Sequence, residues 1–357
     1  MQEQEFFYRL TPDRVLAAVE SAGFVPTGHC SALNALENRV YDVRVHGQRD
    51  RPDESRHLVA KFYRPGRWSR EAILDEHRLL FALRAEEIPV CAPLVFADGD
   101  SLHEVEGIHY AIWPRTGGRA PDELDDDEVR VLGRLLARIH NVGEATGAPH
   151  RRVLDSESFA LEPLALLEEG GFLPPACAER FRRAVLELAG LYESRSRDVP
   201  VLPIHGDCHA GNLLRGEDGW FFLDFDDLVA GPAVHDVWML LPGRDAEGAR
   251  QRQVLVEAYR EFRDFDERTL SLVELLRAFR FVFYAAWIAR RWEDPAFPDA
   301  FPHFGTDAYW ENETRDLEDQ LERIRGGEAG ADAGEGAGPT TAGDGAELTN
   351  KDFFWDL

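Results

Sequence analysis

The stretch that decides the fold spans residues 205–227 and reads HGDCHAGNLLRGEDGWFFLDFDD. A short apolar run at residues 201–204 leads into it and is typical of a β-strand. A second apolar run, residues 220–223, follows a turn at residues 216–219 and ends on Asp224. The pattern predicts two short strands joined by a tight turn, with a polar loop held beside them.

Three side chains of this stretch carry its chemistry. Asp207 is placed to accept a proton from a hydroxyl group, and Asn212 and Asp224 offer the oxygen ligands that Mg²⁺ prefers. Protein kinases have the same Asp-to-Asn spacing in H-R-D-x-x-x-x-N, followed by a metal-binding Asp on the next strand. Here Gly206 replaces the arginine of that motif, and DFD replaces DFG. The alternative is a polar loop that caps a turn.

The pattern HGDxHxGN, followed by an apolar run and D-x-D, resembles the aminoglycoside phosphotransferase and choline kinase superfamily. The closer resemblance is to the stress response kinase A family of bacterial serine/threonine protein kinases, and it covers nearly all of residues 8–325. Beyond the catalytic loop it rests on LNALENRVYDV, VAKFYRPGRWS, ILDEH, GPAVHDVWMLL and RRWEDPAFP. It implies a two-lobed, protein-kinase-like α/β (α+β) fold, with a small β-rich N-lobe, a larger helical C-lobe, ATP as co-substrate and Mg²⁺ as cofactor.

Composition limits the partners that this chain can have. Its 357 residues suffice for two lobes or one large domain, and a hydrophobic fraction of 44% suffices for a core. The net charge of −26 argues against nucleic acid or anionic membrane as a partner, because each requires a basic face. It does not argue against ATP, since Mg²⁺ and one or two cationic side chains hold a nucleotide within an acidic protein.

The cysteines and the apolar runs indicate the compartment. Four cysteines are present without a C-x-x-C pair, so we expect no zinc site. No signal-peptide core follows Met1, and no apolar run reaches the ~20 residues of a membrane span. We therefore expect a cytoplasmic protein with free thiols. We also expect the protein to be a monomer.

A lysine and a glutamate are predicted to point inward from neighbouring elements. The sequence LVAKFY at residues 58–63 predicts a strand with Lys61 on its apolar face. Residues 71–86 have helical spacing, and apolar residues at −3, +4 and +7 place Glu76 on the apolar stripe. An inward Lys and Glu in this order match the kinase pair that positions the α- and β-phosphates of ATP. A structural salt bridge is the alternative.

Two further nucleotide contacts follow from the resemblance. Residues 31–38 are predicted to form a loop where protein kinases carry a glycine-rich phosphate cover, although no GxGxxG is present. The resemblance implies that this loop approaches ATP through Ala35, and an ordinary hairpin loop is the alternative. Another strand ends in PRTGGR, and the resemblance makes residues 113–118 a hinge that bonds adenine through backbone groups, beginning at Trp113.

The domain boundaries follow from these assignments. The N-lobe is predicted at residues 1–113, the C-lobe at 114–325, and a disordered acidic tail at 326–357, which is rich in glycine and ends in KDFFWDL. Strands are also expected at residues 40–45, 89–96, 101–105 and 108–113, and helices at 11–22, 125–141, 175–192, 248–262, 266–291 and 306–325. The resemblance implies that Asp236 braces the catalytic loop; a surface position on a helix is the alternative.

The favoured function is ATP-dependent phosphorylation of serine or threonine on proteins, including the chain itself. In this interpretation Lys61 binds the phosphates and Glu76 forms an ion pair with Lys61. Asp226 assists the metal site, and Asp227 has a structural role. The shared catalytic residues leave two alternatives open. One is a kinase for a small hydroxyl compound such as an aminoglycoside or choline, and the other is a catalytically silent ATP-binding adaptor.

Overall fold

The computed structural model describes residues 7–329 except residues 9, 34, 48–54 and 218. Its N-terminal part is a five-stranded antiparallel sheet with the strand order β1-β2-β3-β5-β4. The strands are β1 (Pro26–Ala32), β2 (Arg39–Val45), β3 (Arg56–Phe62), β4 (His103–Val105) and β5 (Ile108–Pro114). Two helices accompany the sheet, α1 (Pro12–Ser21) and α2 (Arg70–Ala85).

Alternation along the strands gives this sheet two different faces. One face packs with α1 in a buried cluster that includes Tyr41, Val43, Leu58, Ala60, Phe62 and Tyr110. The opposite face carries Ala111 and Trp113, which pack with Ile73 of α2. Ser69 caps α2 by accepting a hydrogen bond from the backbone N–H of Ala72 at 3.2 Å.

The strand predicted at residues 89–96 is not formed. Val90 makes one isolated parallel bridge with Phe222, and Leu94 donates its N–H to the Ile112 carbonyl at 2.7 Å. Pro89 and Pro93 have no N–H group to contribute to a ladder. The segment therefore touches neighbouring strands at separate points without joining a sheet.

The rest of the described chain is mainly helical. Its elements, in chain order, are α3 (Asp126–Thr146), α4 (Glu162–Glu169), α5 (Ala178–Ser196), β6 (Leu202–Ile204), β7 (Leu213–Gly216), β8 (Gly219–Phe222), β9 (Val229–Gly231), α6 (Val234–Leu240), α7 (Ala246–Tyr259), α8 (Val273–Ala289), α9 (Ala296–Ala300) and α10 (Asp307–Ala329). This confirms the predicted α/β class, with a small antiparallel sheet in the N-terminal part and helices in the C-terminal part. No described helix is both long and apolar enough to cross a bilayer.

The chain forms two compact units, and the first contains the sheet. It consists of the chain up to Arg151 together with Leu202–Ala230 and Met239–Phe265. Within it, α3 packs against α7 at Gly133, where a Cβ atom would lie 2.5 Å from the Leu255 carbonyl oxygen. Glycine is required there because the two helices approach so closely.

The second unit consists of Arg152–Val201, Gly231–Trp238 and the chain from Asp266 onward. In its core the rings of Tyr192 and Phe279 lie 4.8 Å apart, which joins α5 to α8. Asp236 is fully buried, so the alternative of a surface helix position is wrong. Its bracing role and the predicted lobe boundary at residue 113 stay predictions. Most of the predicted tail, residues 330–357, lies outside the described residues.

Candidate active site

The loop after β6 brings Asp207 and Asn212 together. Asn212 donates through Nδ2 to the Asp207 carbonyl oxygen at 2.9 Å, and Nδ2 lies 3.4 Å from Asp207 Oδ2. Gly206 has φ +83°, and a Cβ at this position would lie 2.2 Å from the Asp227 carbonyl oxygen. Only glycine fits such a backbone. This accounts for Gly206 at the position where the protein-kinase motif has arginine.

The hairpin of β7 and β8 then brings Asp224 to the same place. Leu223 donates its N–H to the Asn212 carbonyl at 2.9 Å, and His205 Nε2 donates to the Leu223 carbonyl at 2.7 Å. Asp224 follows with φ +52°, a left-handed conformation that aspartate adopts more readily than most residues with a Cβ. Its side chain is 57% exposed, so the carboxylate is open to solvent.

Lys61 of β3 reaches these carboxylates. Its Nζ donates to Asp224 Oδ1 at 3.1 Å and lies 3.1 Å from Asp226 Oδ1. Burial opposes the charged form of the amine, but the neighbouring carboxylates outweigh burial and raise the pKa of Lys61 well above its usual value. Lys61 is therefore a cation at neutral pH.

Glu76 points inward from α2, as the helical spacing predicted, and is 1% exposed. Its Oε2 accepts a hydrogen bond from Arg151 Nη2 at 3.2 Å, whereas Lys61 contacts the two aspartates instead of Glu76. The predicted direct Lys61–Glu76 pair is thus replaced by a buried Glu76–Arg151 pair. Burial raises the pKa of Glu76 to about 7, although the charges of Lys61 and Arg151 act in the opposite direction.

Arg67 is a further cation of the site that sequence reasoning missed. Its guanidinium donates to the carboxylates of both Asp226 and Asp227. Asn38 Nδ2 adds a hydrogen bond to Asp226 Oδ2 at 3.0 Å. Burial alone raises the pKa of Asp226, but Arg67 and Lys61 outweigh burial and hold this pKa well below its usual range. Asp226 is therefore a buried anion surrounded by donors.

The oxygen atoms of this cluster suit a hard divalent cation. Asp226 Oδ1 is buried, and Lys61 Nζ, at 3.1 Å, is its ion-pair partner. Asn212 uses its Nδ2 within the loop and keeps its Oδ1 for a ligand, and the Asp224 carboxylate is exposed. Amide and carboxylate oxygens are the ligands that Mg²⁺ prefers. The residues present fit Mg²⁺, with Asp226 beside the predicted ligands Asn212 and Asp224.

The remaining predicted contacts lie in two other segments. Ala35 is half-buried in the loop between β1 and β2. Trp113 is 8% exposed in β5, with its ring centroid 5.7 Å from Lys61 Nζ. After β5, Arg119 exchanges two backbone hydrogen bonds with Arg215, at 3.1 and 2.8 Å, which attaches the segment to β7. The nucleotide contacts of Ala35 and Trp113 stay predictions.

The sequence pattern of the phosphotransferase enzyme family (APH) matches residues 29–272, which include every site residue described above. The chain belongs to the phosphotransferase enzyme family. Stress response kinase A of Escherichia coli (strain K12) is 39% identical over 320 residues, which are 89% of this phosphotransferase and 95% of the relative. Serine/threonine protein kinase RdoA of Salmonella typhimurium (strain LT2) is 38% identical over 309 residues, 86% and 92% of the two chains.

Solved structures of kinases share the fold of this chain. One is an amicoumacin kinase in complex with AMP-PNP, Ca²⁺ and Ami. Its alignment covers 86% of this phosphotransferase and 94% of the kinase chain, with a TM-score of 0.66 and 18% identity. A microcompartment-associated aminopropanol kinase matches 86% and 98%, with a TM-score of 0.57 and 19% identity. At such identities the likeness shows the fold alone. It confirms the predicted kinase-like fold, and the relatives confirm the predicted family.

Proposed function

We propose that this phosphotransferase transfers the γ-phosphoryl group of Mg·ATP to serine or threonine hydroxyl groups of proteins, including its own. The observation that carries the proposal is the meeting of Asp207, Asn212, Asp224 and Lys61 in one site. A candidate base, oxygen ligands for a cation and a protonated lysine are the parts that phosphoryl transfer requires. The amicoumacin kinase, which shares this fold, was solved with AMP-PNP and Ca²⁺, which supports a nucleotide and a divalent cation as ligands of the fold.

Each side chain takes a role that its surroundings support. Asp207 is half-buried and accepts the acceptor's hydroxyl proton, and its orientation is supported by Asn212. Asn212 and Asp224 hold Mg²⁺, which when bound supplies charge neutralisation to the phosphates. Lys61 stays protonated although it is buried, so it can bind phosphate oxygens. When the nucleotide binds, these oxygens replace Asp224 and Asp226 as its contacts.

The acceptor class is supported by the relatives. The chain is 38–39% identical to proteins named as a stress response kinase and as a serine/threonine protein kinase, over more than four fifths of its length. The names of the solved structures favour a second candidate, a small alcohol or antibiotic. We place the protein acceptor first, because identity to the protein kinases is about twice the identity to those structures.

The experiment incubates the pure chain with labelled ATP and Mg²⁺, together with a basic protein substrate or, separately, a panel of small alcohols. We expect label on serine or threonine in the wild type and its loss in Asp207→Asn. Asp127→Asn is the matched control, since its side chain is 94% exposed on α3 and pairs only with Arg130 among the described residues. Saturable transfer to one small alcohol, with no label entering protein, would refute the protein acceptor.

A further inference from the structure

The sheet face that carries Lys61 continues into a second polar cluster. Along β3 the side chains of His57, Val59 and Lys61 share this face, and His57 lies about 13 Å from Lys61 at 3.3 Å per residue. Asp42 of β2 is paired with Val59, so its side chain projects from the same face. The cluster is therefore separate from the candidate active site while belonging to the same sheet.

Two imidazoles and one carboxylate converge in this cluster from three strands. His57 Nδ1 lies 2.9 and 3.0 Å from the two carboxylate oxygens of Asp42. His29 Nε2 of β1 lies 4.0 Å from Asp42 Oδ2. One ligand atom from each of the three residues lies within 4.8 Å of the other two. A metal ion bound at ~2.0–2.2 Å from each atom requires only small side-chain rotations.

The backbone of β1 is shaped to bring His29 to this position. The pairing of β1 with β2 changes register between Pro26 and Cys30, and Gly28 within that interval has φ +95°. Such bulges re-aim a side chain and are frequent beside functional sites. Because Cys30 packs against the opposite, α1-covered face, its neighbour His29 projects toward Asp42.

We propose that His29, Asp42 and His57 bind a divalent transition-metal ion, with Zn²⁺ as the best match to two imidazoles and a carboxylate. Asp42 is 5% exposed, whereas the side chain of His29 is 51% exposed and leaves an entry path from solvent. A water molecule completes four ligands. The cysteine-based expectation of no zinc site does not extend to this cluster, because none of its ligands is a cysteine.

Arg115 provides a test in which metal affinity should rise, whereas the histidine variants should lower it. Its Nη1 donates to Asp42 Oδ2 at 3.0 Å, so its positive charge competes with a metal ion for the same carboxylate. Removing Arg115 should strengthen metal binding, whereas removing either histidine should weaken it. If the cluster served only as an ion pair, the Arg115 and histidine variants would not change metal affinity in opposite directions.

The experiment measures Zn²⁺ affinity of the untagged chain by competition with a chromophoric chelator in excess Mg²⁺, and records the visible absorption of the Co²⁺ form. We expect His29→Ala and His57→Ala each to lower the affinity at least about 100-fold, since even a lost supporting contact costs about 10–100-fold. Arg115→Gln should raise it about threefold to tenfold. His103→Ala is the matched control, because His103 pairs with Asp98 at 2.9 Å without a second histidine in the pair.

Three outcomes would overturn the proposal. The first is the absence of a saturable Zn²⁺ site in the wild type. The second is a Zn²⁺ affinity that stays unchanged in the two histidine variants, provided that their melting curves show folded protein. The third is loss of the site in Asp224→Asn, because this result would assign the bound metal to the candidate active site. Zn²⁺ bound by Asp224→Asn with wild-type affinity would instead support a separate site.

Discussion

Replacing Arg67 with methionine tests the charge cluster around Asp226. Arg67 contributes two hydrogen bonds to the carboxylates of Asp226 and Asp227, and its side chain is only 11% exposed. Methionine keeps the apolar stem and removes the charge. The Asp226 carboxylate, 3% exposed, then keeps Lys61 and Arg151 nearby but loses its strongest partner.

The expected cost follows from the burial of the pair. Removing one partner of a buried ion pair costs about 3–5 kcal/mol, because the other charge stays desolvated. Two other cations remain close to Asp226, so we expect the lower end, about 3 kcal/mol. At ~2–4 °C per kcal/mol, this lowers the melting temperature by about 6–12 °C.

The control is Arg70→Met, which breaks a pair with Asp100 whose side chains are 40% and 35% exposed. An exposed pair contributes about 0.2–1 kcal/mol, so this variant should melt close to the wild type. Thermal melting by circular dichroism measures both variants, and Arg67→Met combined with Asp226→Asn should recover part of the loss. Equal melting temperatures of Arg67→Met and Arg70→Met would contradict the reasoning.

The remaining predictions concern the proposed catalytic groups and Glu76. Asp207→Asn should reduce turnover ~10² to 10⁴-fold and leave the affinity for an ATP analogue nearly unchanged, as measured by calorimetry. Asp224→Ala should weaken that affinity in the presence of Mg²⁺ but far less in its absence; equal weakening in both would remove Asp224 from the metal site. With a folded-state pKa of about 7 against an ordinary 4.5, Glu76 binds more protons in the folded chain, so stability falls as pH rises through that window. Glu76→Gln should flatten this fall in urea titrations, whereas Glu86→Gln, at an exposed position, should reproduce the wild-type slope.

The parts of the site that could be predicted from sequence are those held by local geometry. Asp207, Asn212 and Asp224 lie within 18 residues, and the β7–β8 hairpin between them is itself readable from its apolar runs and glycines. The inward direction of Glu76 followed from helical spacing alone. Periodicity gives the face of a side chain and not its partner, so the Glu76–Arg151 pair, 75 residues apart, was beyond that reasoning.

Arg67 and residues 89–96 show two other limits. The stretch VAKFYRPGRWS carries part of the family resemblance, yet nothing in its spacing indicates that Arg67 donates a hydrogen bond to a carboxylate 159 residues away. Residues 89–96 have the apolar content of a strand, but two prolines remove the N–H groups that a ladder uses. A strand requires both an apolar pattern and backbone N–H groups for the ladder. Residues 89–96 meet the first requirement but not the second, so they do not form a strand.

The local charge explains how so acidic a chain suits an anionic substrate. The chain carries a formal charge of −26. The network around Asp226, however, combines six carboxylates with four basic side chains, a formal charge of −2: Glu37, Glu76, Asp207, Asp224, Asp226 and Asp227 with Lys61, Arg64, Arg67 and Arg151. One divalent cation brings this network to neutrality. Raising the pKa of Glu76 to about 7 removes part of another negative charge near neutral pH. Repulsion of a nucleotide is therefore governed by this nearly neutral network, since charges elsewhere on the surface are screened within about 10 Å.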